Sequence, residues 1–278
     1  AIAEVNEQMP VTFGDNAIHI SQLDYLVESS RPLLPWRNPK IGPDEEAVAR
    51  NVSQLIPDGA TLCLGIGAIP ESLAKALANK RQLGIHSGMM GDGVGDLMES
   101  GVVTNERKSI NKGKTVTAGV SGGEKLVRFV HKNPLVEVYP YSYTHDIMTV
   151  RQIENFIAVL SGLEVDLTGQ LNAESIGDTQ VSAVGGQAEW IRGAALAPGG
   201  KSIIAFTSTA RGKTSRIVAR LKEGTIVSTP RYDIDYVVTE YGIAELRRKT
   251  LSQRAQALIS IAHPDFREEL ERAWRGKD

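Results

Sequence analysis

Short apolar segments separated by amphipathic helical stretches predict an α/β protein built on an open, mainly parallel sheet. Three observations carry this expectation. Thr61-Leu62-Cys63-Leu64 is short, continuous and apolar, as in a strand covered on both faces. It runs into Gly65-Ile66-Gly67-Ala68-Ile69-Pro70 and then a helical stretch, which makes a strand–glycine loop–helix unit. Strand-like segments and helical segments then alternate to the end of the chain, with Tyr236–Thr239 rich in the β-branched residues that strands favour.

Ala1-Ile2-Ala3-Glu4-Val5-Asn6 reads as a strand already under way, and Ile18 to Val27 alternates weakly like another. Arg31-Pro32-Leu33-Leu34-Pro35-Trp36-Arg37-Asn38-Pro39 reads as a linker, because prolines remove donors and push their predecessors toward extended geometry. Pro43 to Ile56 is predicted helical, with Val48, Val52, Leu55 and Ile56 on one face. The helix after Pro70 is expected over Glu71 to Asn79. Strands follow at Lys114 to Ala118, Val136 to Tyr139, Ile157 to Leu160 and Ser202 to Phe206, with a helix at Glu124 to Val130. Leu251 to Ala262 is a helix that His263-Pro264 stops, and Asp265 is expected to cap a last helix to about Arg275.

The chain has 278 residues, 41% of them hydrophobic, and a net charge of −2, enough to bury one large or two modest cores. That charge balance argues against a nucleic-acid partner. Single Cys63 forms no internal disulfide and offers no metal set, so a reducing, cytoplasmic compartment is expected. No apolar run reaches the length of a membrane span, and no membrane partner is expected.

Four groups of residues could carry chemistry. The Gly65–Pro70 loop lets backbone amides approach a phosphate or oxyanion at a helix start, although a plain tight turn fits the same residues. It is no dinucleotide fingerprint, since Pro70 stands where the third glycine belongs. Gly169-Gln170-Leu171-Asn172-Ala173-Glu174-Ser175 and Val181-Ser182-Ala183-Val184-Gly185-Gly186-Gln187 again pair glycines with polar side chains, as a ligand loop or a β-turn would. Gly212-Lys213-Thr214 mimics the end of a P-loop, but Thr207 replaces the required first glycine. The run is then a solvated basic loop or a patch for phosphates. His86, His145 and His263 show no metal-ligand spacing, and only His86 is expected near an active centre, as a catalytic or an orienting group.

The segment Gly84-Ile85-His86-Ser87-Gly88-Met89-Met90-Gly91-Asp92-Gly93 is the most specific text in the chain. It resembles the catalytic stretch of the acetyl-CoA hydrolase/4-hydroxybutyrate CoA-transferase family, roughly His-Ser-Glu-Met-Phe-Ser-Asp-Gly. The resemblance extends from Ala3–Asn6 through Ile69-Pro70, Val103–Asn105, Asn172–Gln187 and Val237–Gly242 to Ala262–Arg267. It implies a CoA-transferase-type sheet, with residues 1–40 the end of an N-terminal α/β domain plus linker and 41–278 the C-terminal catalytic-type domain. A fragment, a processed product or one half of a two-chain assembly is expected, the alternative being a compact relative.

In the family a glutamate carboxylate attacks the acyl-CoA carbonyl, and CoA then attacks the resulting anhydride to give a glutamyl-CoA thioester. Here that position is Gly88, which offers no carboxylate. By resemblance Gly185 and Gly186 sit against the thioester, Asn172 and Glu174 shape the acyl pocket, and Gly65, Gly67, Ile69, Gln187 and Lys213 contribute to CoA binding. The substrates implied are acyl-CoA and a small carboxylate, with no covalently bound cofactor and with a homo-oligomer or a missing N-terminal half as partner. Three outcomes follow for Gly88. A neighbouring acid (Asp92, Glu99 or Glu174) substitutes, water becomes the nucleophile, or the chain binds acyl-CoA without turnover as a subunit or sensor. Glu174 is preferred over Asp92 as a base, because Asp92-Gly93 reads as a turn.

Overall fold

A computed structural model describes residues 1–34, 36, 40–183 and 185–276. Of the expected linker, Pro35, Arg37, Asn38 and Pro39 lie outside the described residues, as does Val184 of the second glycine text. Among the described residues the main sheet has nine strands: β1 (Phe13–Gly14), β2 (Thr61–Leu64), β3 (Gly84–Met90), β4 (Thr115–Val120), β5 (Val136–Val138), β6 (Phe156–Leu160), β7 (Lys201–Ala205), β8 (Tyr236–Thr239) and β9 (Gly242–Glu245). Their spatial order is β9-β8-β7-β6-β2-β3-β4-β5-β1. Every neighbouring pair is parallel except the closing β8–β9 hairpin. The open, mainly parallel α/β sheet is therefore as the sequence predicts.

The chain fills this sheet from the middle. From β2 it steps through β3, β4 and β5 to one side, then returns to place β6 against β2 and continues outward through β7 and β8. Right-handed crossovers in opposite directions put helices on opposite faces. Helices α1 (Pro43–Ser53), α2 (Ala68–Ala76), α3 (Asp92–Glu99) and α4 (Glu124–Val130) cover one face through Val48, Leu73, Leu97 and Leu126. Helices α5 (Gln187–Leu196), α6 (Leu251–Ser260) and α7 (Pro264–Arg275) cover the other through Ile191, Leu258 and Leu270.

The strands serve both faces by their period of two. Leu62, Leu64, Ile157, Val159 and Ile203 join the first cluster, while Cys63, Phe156, Ala158 and Ile204 join the second. Strand β2 is buried at all four positions, which explains its uninterrupted apolar text.

Several boundaries differ from expectation for identifiable reasons. Asp92-Gly93 opens helix α3 rather than forming a turn. A Cβ on Gly93 would fall 2.5 Å from Ala74 Cβ, so this glycine serves the close packing of α3 on α2. Helix α7 starts at Pro264 with His263 as its N-cap, and the imidazole Nδ1 accepts from the Asp265 amide. Ile18 to Val27 is not one strand. His19 caps a short 3₁₀ turn at Ile20–Gln22, and Tyr25–Ser29 then pairs in parallel with Ile2–Asn6.

Beneath the centre of the sheet lies a buried lysine. Lys108 is 3% exposed, and its ammonium donates to the carbonyls of Ile85 (2.8 Å) and Lys114 (2.7 Å), tying β3 to the approach of β4. Burial pulls its pKa down to about 7, against the opposing charge of Glu137. An unfolded lysine keeps its proton to about pH 10.4. Between about pH 7 and that value the unfolded chain binds more protons, so this group makes stability rise with pH. Urea midpoints at about pH 7 and about pH 9.5 should show that rise in the parent. Lys108→Met should lose it, and an identical pH slope in the two proteins would refute the assignment.

Candidate active site

In an open parallel sheet, ligands bind beyond the carboxyl ends of the strands where the strand order reverses. Here that point lies between β2 and β6. A cavity of about 280 Å³ opens there, lined by Gly65 and Gly67 after β2, Ser161 after β6, Thr207 after β7, and Arg216. Gly67 has φ +125°, which suits glycine, and is the N-cap of α2, so the glycine loop presents a helix start to this cavity. Ile69 lines it as well. Arg216 Nη1 donates to the Gly162 carbonyl (3.0 Å), while its Nε is buried without a partner.

The second site lies around Gly88. Strands β2 and β3 pair at Thr61–Gly84 and Leu62–Ile85. Beyond this the Ser87 hydroxyl fills in, donating to the Leu64 carbonyl (2.9 Å) and accepting from the Leu64 amide (3.3 Å). By strand alternation His86 and Gly88 face the same side, toward α5 and the short helix Tyr141–Thr144. A cleft of about 760 Å³ opens there, lined by Gly88, Met89, His145, Gly185, Gly186 and Glu189, among others.

A Cβ on Gly88 would lie 3.0 Å from His145 Nε2 and 3.6 Å from Trp190 Nε1. A Cβ on Gly186 would lie 2.1 Å from His145 Cδ2 and 2.6 Å from Nε2. The Nε2 edge of the imidazole is thus wedged between two glycines. His145 ends the helix Tyr141–Thr144, and its amide donates to the Tyr141 carbonyl. Asp146 caps the next short helix, Ile147–Val150, by accepting from the amides of Met148 and Thr149. The ring also packs on Trp190 with centroids 4.5 Å apart. Burial lowers the His145 pKa, and the Glu189 carboxylate opposes that shift.

His86 sits one layer behind. It is fully buried, and its Nε2–H donates to the Thr144 carbonyl (3.1 Å), leaving Nδ1 without a partner. Burial and the nearby charge of Lys108 lower its pKa to about 3, so the ring is neutral. It holds the segment that carries His145.

The other residues singled out in the sequence are more scattered. Asp92 accepts from the Gly123 amide with both carboxylate oxygens (3.0 and 3.1 Å) at the start of α3. Glu99 pairs with Lys125 at the surface. Asn172 is fully buried and holds its own turn, donating to Glu164 and to the Ser175 carbonyl and accepting from the amides of Glu174 and Ser175. Glu174 is 7% exposed, and its carbonyl accepts from Val181 and Ser182. Gln187 spans two loops, donating to the Ser161 carbonyl and accepting from Thr229. Lys213 closes the tight turn of the hairpin Thr209–Ala210/Thr214–Ser215, where Arg211 and Gly212 both have positive φ. Gly88, Gly185 and Gly186 meet in one cleft, and Gly65, Gly67 and Ile69 meet in another. Glu174, Asp92 and His86 line neither.

His145 is the residue that sequence reasoning set aside. Only its neighbour Asp146, a helix-capping residue type, hinted that the position was fixed.

Comparison with known proteins agrees with this fold. The profile of the acetyl-CoA hydrolase/transferase C-terminal domain matches residues 122–274, and that of coenzyme A transferase matches residues 45–142. The chain belongs to the CoA-transferase/acetyl-CoA hydrolase family. It is 52% identical to 4-hydroxybutyrate coenzyme A transferase of Clostridium kluyveri, covering 97% of this chain and 63% of that one. It is 46% identical to succinyl-CoA:cyclohexane-1-carboxylate CoA transferase of Geobacter metallireducens, covering 99% and 63%. Among solved structures, RipA from Yersinia pestis superposes with a TM-score of 0.93 at 37% identity, over 99% of this chain and 63% of that one. The 4-hydroxybutyrate CoA-transferase of Porphyromonas gingivalis does so with a TM-score of 0.88 at 41% identity, over 100% and 66%. The chain thus spans about 63% of the length of the curated relatives it matches.

The two glycines around the imidazole should differ in tolerance. Gly88→Ala places a methyl where the ring need yield only slightly, and stability should change by under about 1 kcal/mol. Gly186→Ala drives a methyl into the ring and should cost about 1–3 kcal/mol. Urea denaturation of both variants checks the order, and equal costs would contradict the wedged geometry.

Proposed function

We propose that this chain is the thioester-handling part of a CoA-transferase-family enzyme that acts on a short-chain acyl-CoA, by transfer to a small carboxylate or by hydrolysis. The observation that carries this reading is the cleft where Gly88, at the end of a central strand, faces Gly185-Gly186 at the start of α5. It is supported by the family resemblance, on which position 88 would correspond to the acyl-enzyme carboxylate and the two glycines would lie against the CoA thioester. Backbone amides there suit an oxyanion, since they need no reorganisation as charge develops.

A binding-only role is the second reading. Gly88 favours it, because transfer through an anhydride needs a carboxylate. The expected compartment is the cytoplasm, and among the described residues no helix is long and apolar enough to cross a membrane. Among the described residues no group of three or more potential metal ligands is found. The exposed apolar side chains of Ile2, Tyr25 and Val27 suit cover by a second copy or by the part of the relatives that this chain does not span.

Calorimetry with acetyl-CoA should show micromolar binding, corresponding to about −8 kcal/mol. No heat at millimolar ligand would overturn the thioester-site reading. Gly88→Glu should gain CoA transfer from acetyl-CoA to a small carboxylate. The gain should be larger when combined with His145→Asn, which makes room for the new side chain. A mass spectrum should then show a covalent CoA adduct. A folded, acetyl-CoA-binding double variant with neither adduct nor transfer would show that position 88 does not face the thioester.

A further inference from the structure

The space that a side chain at position 88 would enter is held by a histidine. His145 Nε2 lies 3.0 Å from where a Gly88 Cβ would be, at the wall of an open cleft. We propose that His145 is the catalytic base of this chain, its Nε2 activating a water that attacks the acyl-CoA thioester carbonyl in the cleft beside Gly88. The inference rests on the thioester-site reading above and names the group that performs the chemistry there.

Four features of the geometry support it. Nδ1 lies 2.8 Å from Thr144 Oγ1, and that hydroxyl is 3.4 Å from the Pro140 carbonyl. With the hydroxyl donating to Pro140, Nδ1–H donates to the hydroxyl and Nε2 keeps its lone pair toward Gly88. The ring is clamped by Trp190 at 4.5 Å and Tyr141 at 4.8 Å between centroids. Behind it, His86 fixes the Thr144 carbonyl. Across the cleft Glu189 has one carboxylate oxygen buried without a partner, and its charge favours an imidazolium at His145.

The step balances with water alone. Nε2 takes a proton from water as the water oxygen bonds to the carbonyl carbon, giving a tetrahedral oxyanion. The oxyanion collapses, the carbon–sulfur bond breaks, and the departing thiolate takes the proton from Nε2. The products are a carboxylic acid and CoA thiol, and the imidazole is restored neutral.

The groups around the ring are Glu189 on α5, His86 on β3, and Tyr141 and Asp146 on its own segment. Burial outweighs Glu189 and lowers the His145 pKa. A base works deprotonated, so kcat for hydrolysis should be flat through neutral pH and fall on an acid limb below the ordinary histidine value.

The test uses the 278-residue chain with acetyl-CoA, following thiol release and, separately, binding by calorimetry. His145→Asn should lower kcat by about 10²-fold or more while leaving affinity nearly unchanged. Free imidazole should restore turnover to His145→Ala, and the acid limb should vanish from the residual activity of His145→Asn. A parent that binds acetyl-CoA but hydrolyses none, or a His145→Asn variant with parental kcat, overturns the proposal for His145 alone. Loss of hydrolysis in Glu174→Gln with His145→Asn unaffected would also overturn it, in favour of the carboxylate. Absence of acetyl-CoA binding instead strikes the thioester-site reading.

Discussion

The arrangement of the whole molecule follows from the burial of one strand. Thr61–Leu64 is covered on both faces and paired along both edges, and from it the chain builds outward in two opposite directions. Two crossovers leaving a shared centre in opposite senses leave a gap above its carboxyl end. No side chain is spent on making that gap. The glycine loop after Leu64 and the turn after Leu160 border it because the sheet's own path leads both away. The Ser87 hydroxyl, bonded to both backbone groups of Leu64, then lets β3 part from β2 without leaving those groups unpaired.

The position beside that parting shows what occupies the space next to a residue that carries no side chain. A missing side chain in a packed region leaves either a void or a space that something else enters. Here the imidazole of His145 enters, with its edge between Gly88 and Gly186. Its position comes from two short helices meeting end to end, Tyr141–Thr144 and Ile147–Val150, and from the Trp190 indole behind it. The polar group beside Gly88 in the cleft thus comes from the turn facing the strand, not from the strand itself.

How much of this could be read in the chain depended on whether the signal was local. The buried strands were legible because β2, β6 and β8 are dominated by apolar text and β7 carries Ile203-Ile204-Ala205, and helix α4 because its ends match its pattern. Helix α3 was not, since Gly93 and Gly95 lower its helical propensity, and their reason is contact with Ala74 and Leu126 on other helices. Helix α5 hides behind Gly185-Gly186, although Trp190, Ile191 and Ala194 on its buried face carry a helical period. In the site, Gly88 and the Gly185-Gly186 pair were found through the family text, and the structure brings them together. His145 was not found, because 57 residues separate it from Gly88 in the sequence and only the sheet order makes them neighbours. Asn172 and Gln187 look like ligand groups in the sequence, but in the fold their amides are occupied in holding loops.

The two ends of the main sheet bear on how the molecule behaves when crowded. A long, flat border strand invites a neighbour's strand to add to it. On one side the sheet ends in the tight β8–β9 hairpin, whose outer strand has four residues. On the other it ends in Phe13–Gly14, a two-residue strand whose glycine has φ +110° and whose missing Cβ would overlap the Val138 carbonyl. Such a left-handed glycine carries the chain out of line after only two residues, so this border offers too little ladder to template another chain. Protection from edge-to-edge fibre growth is thus built into the sheet's two border strands, independent of the cleft at its centre.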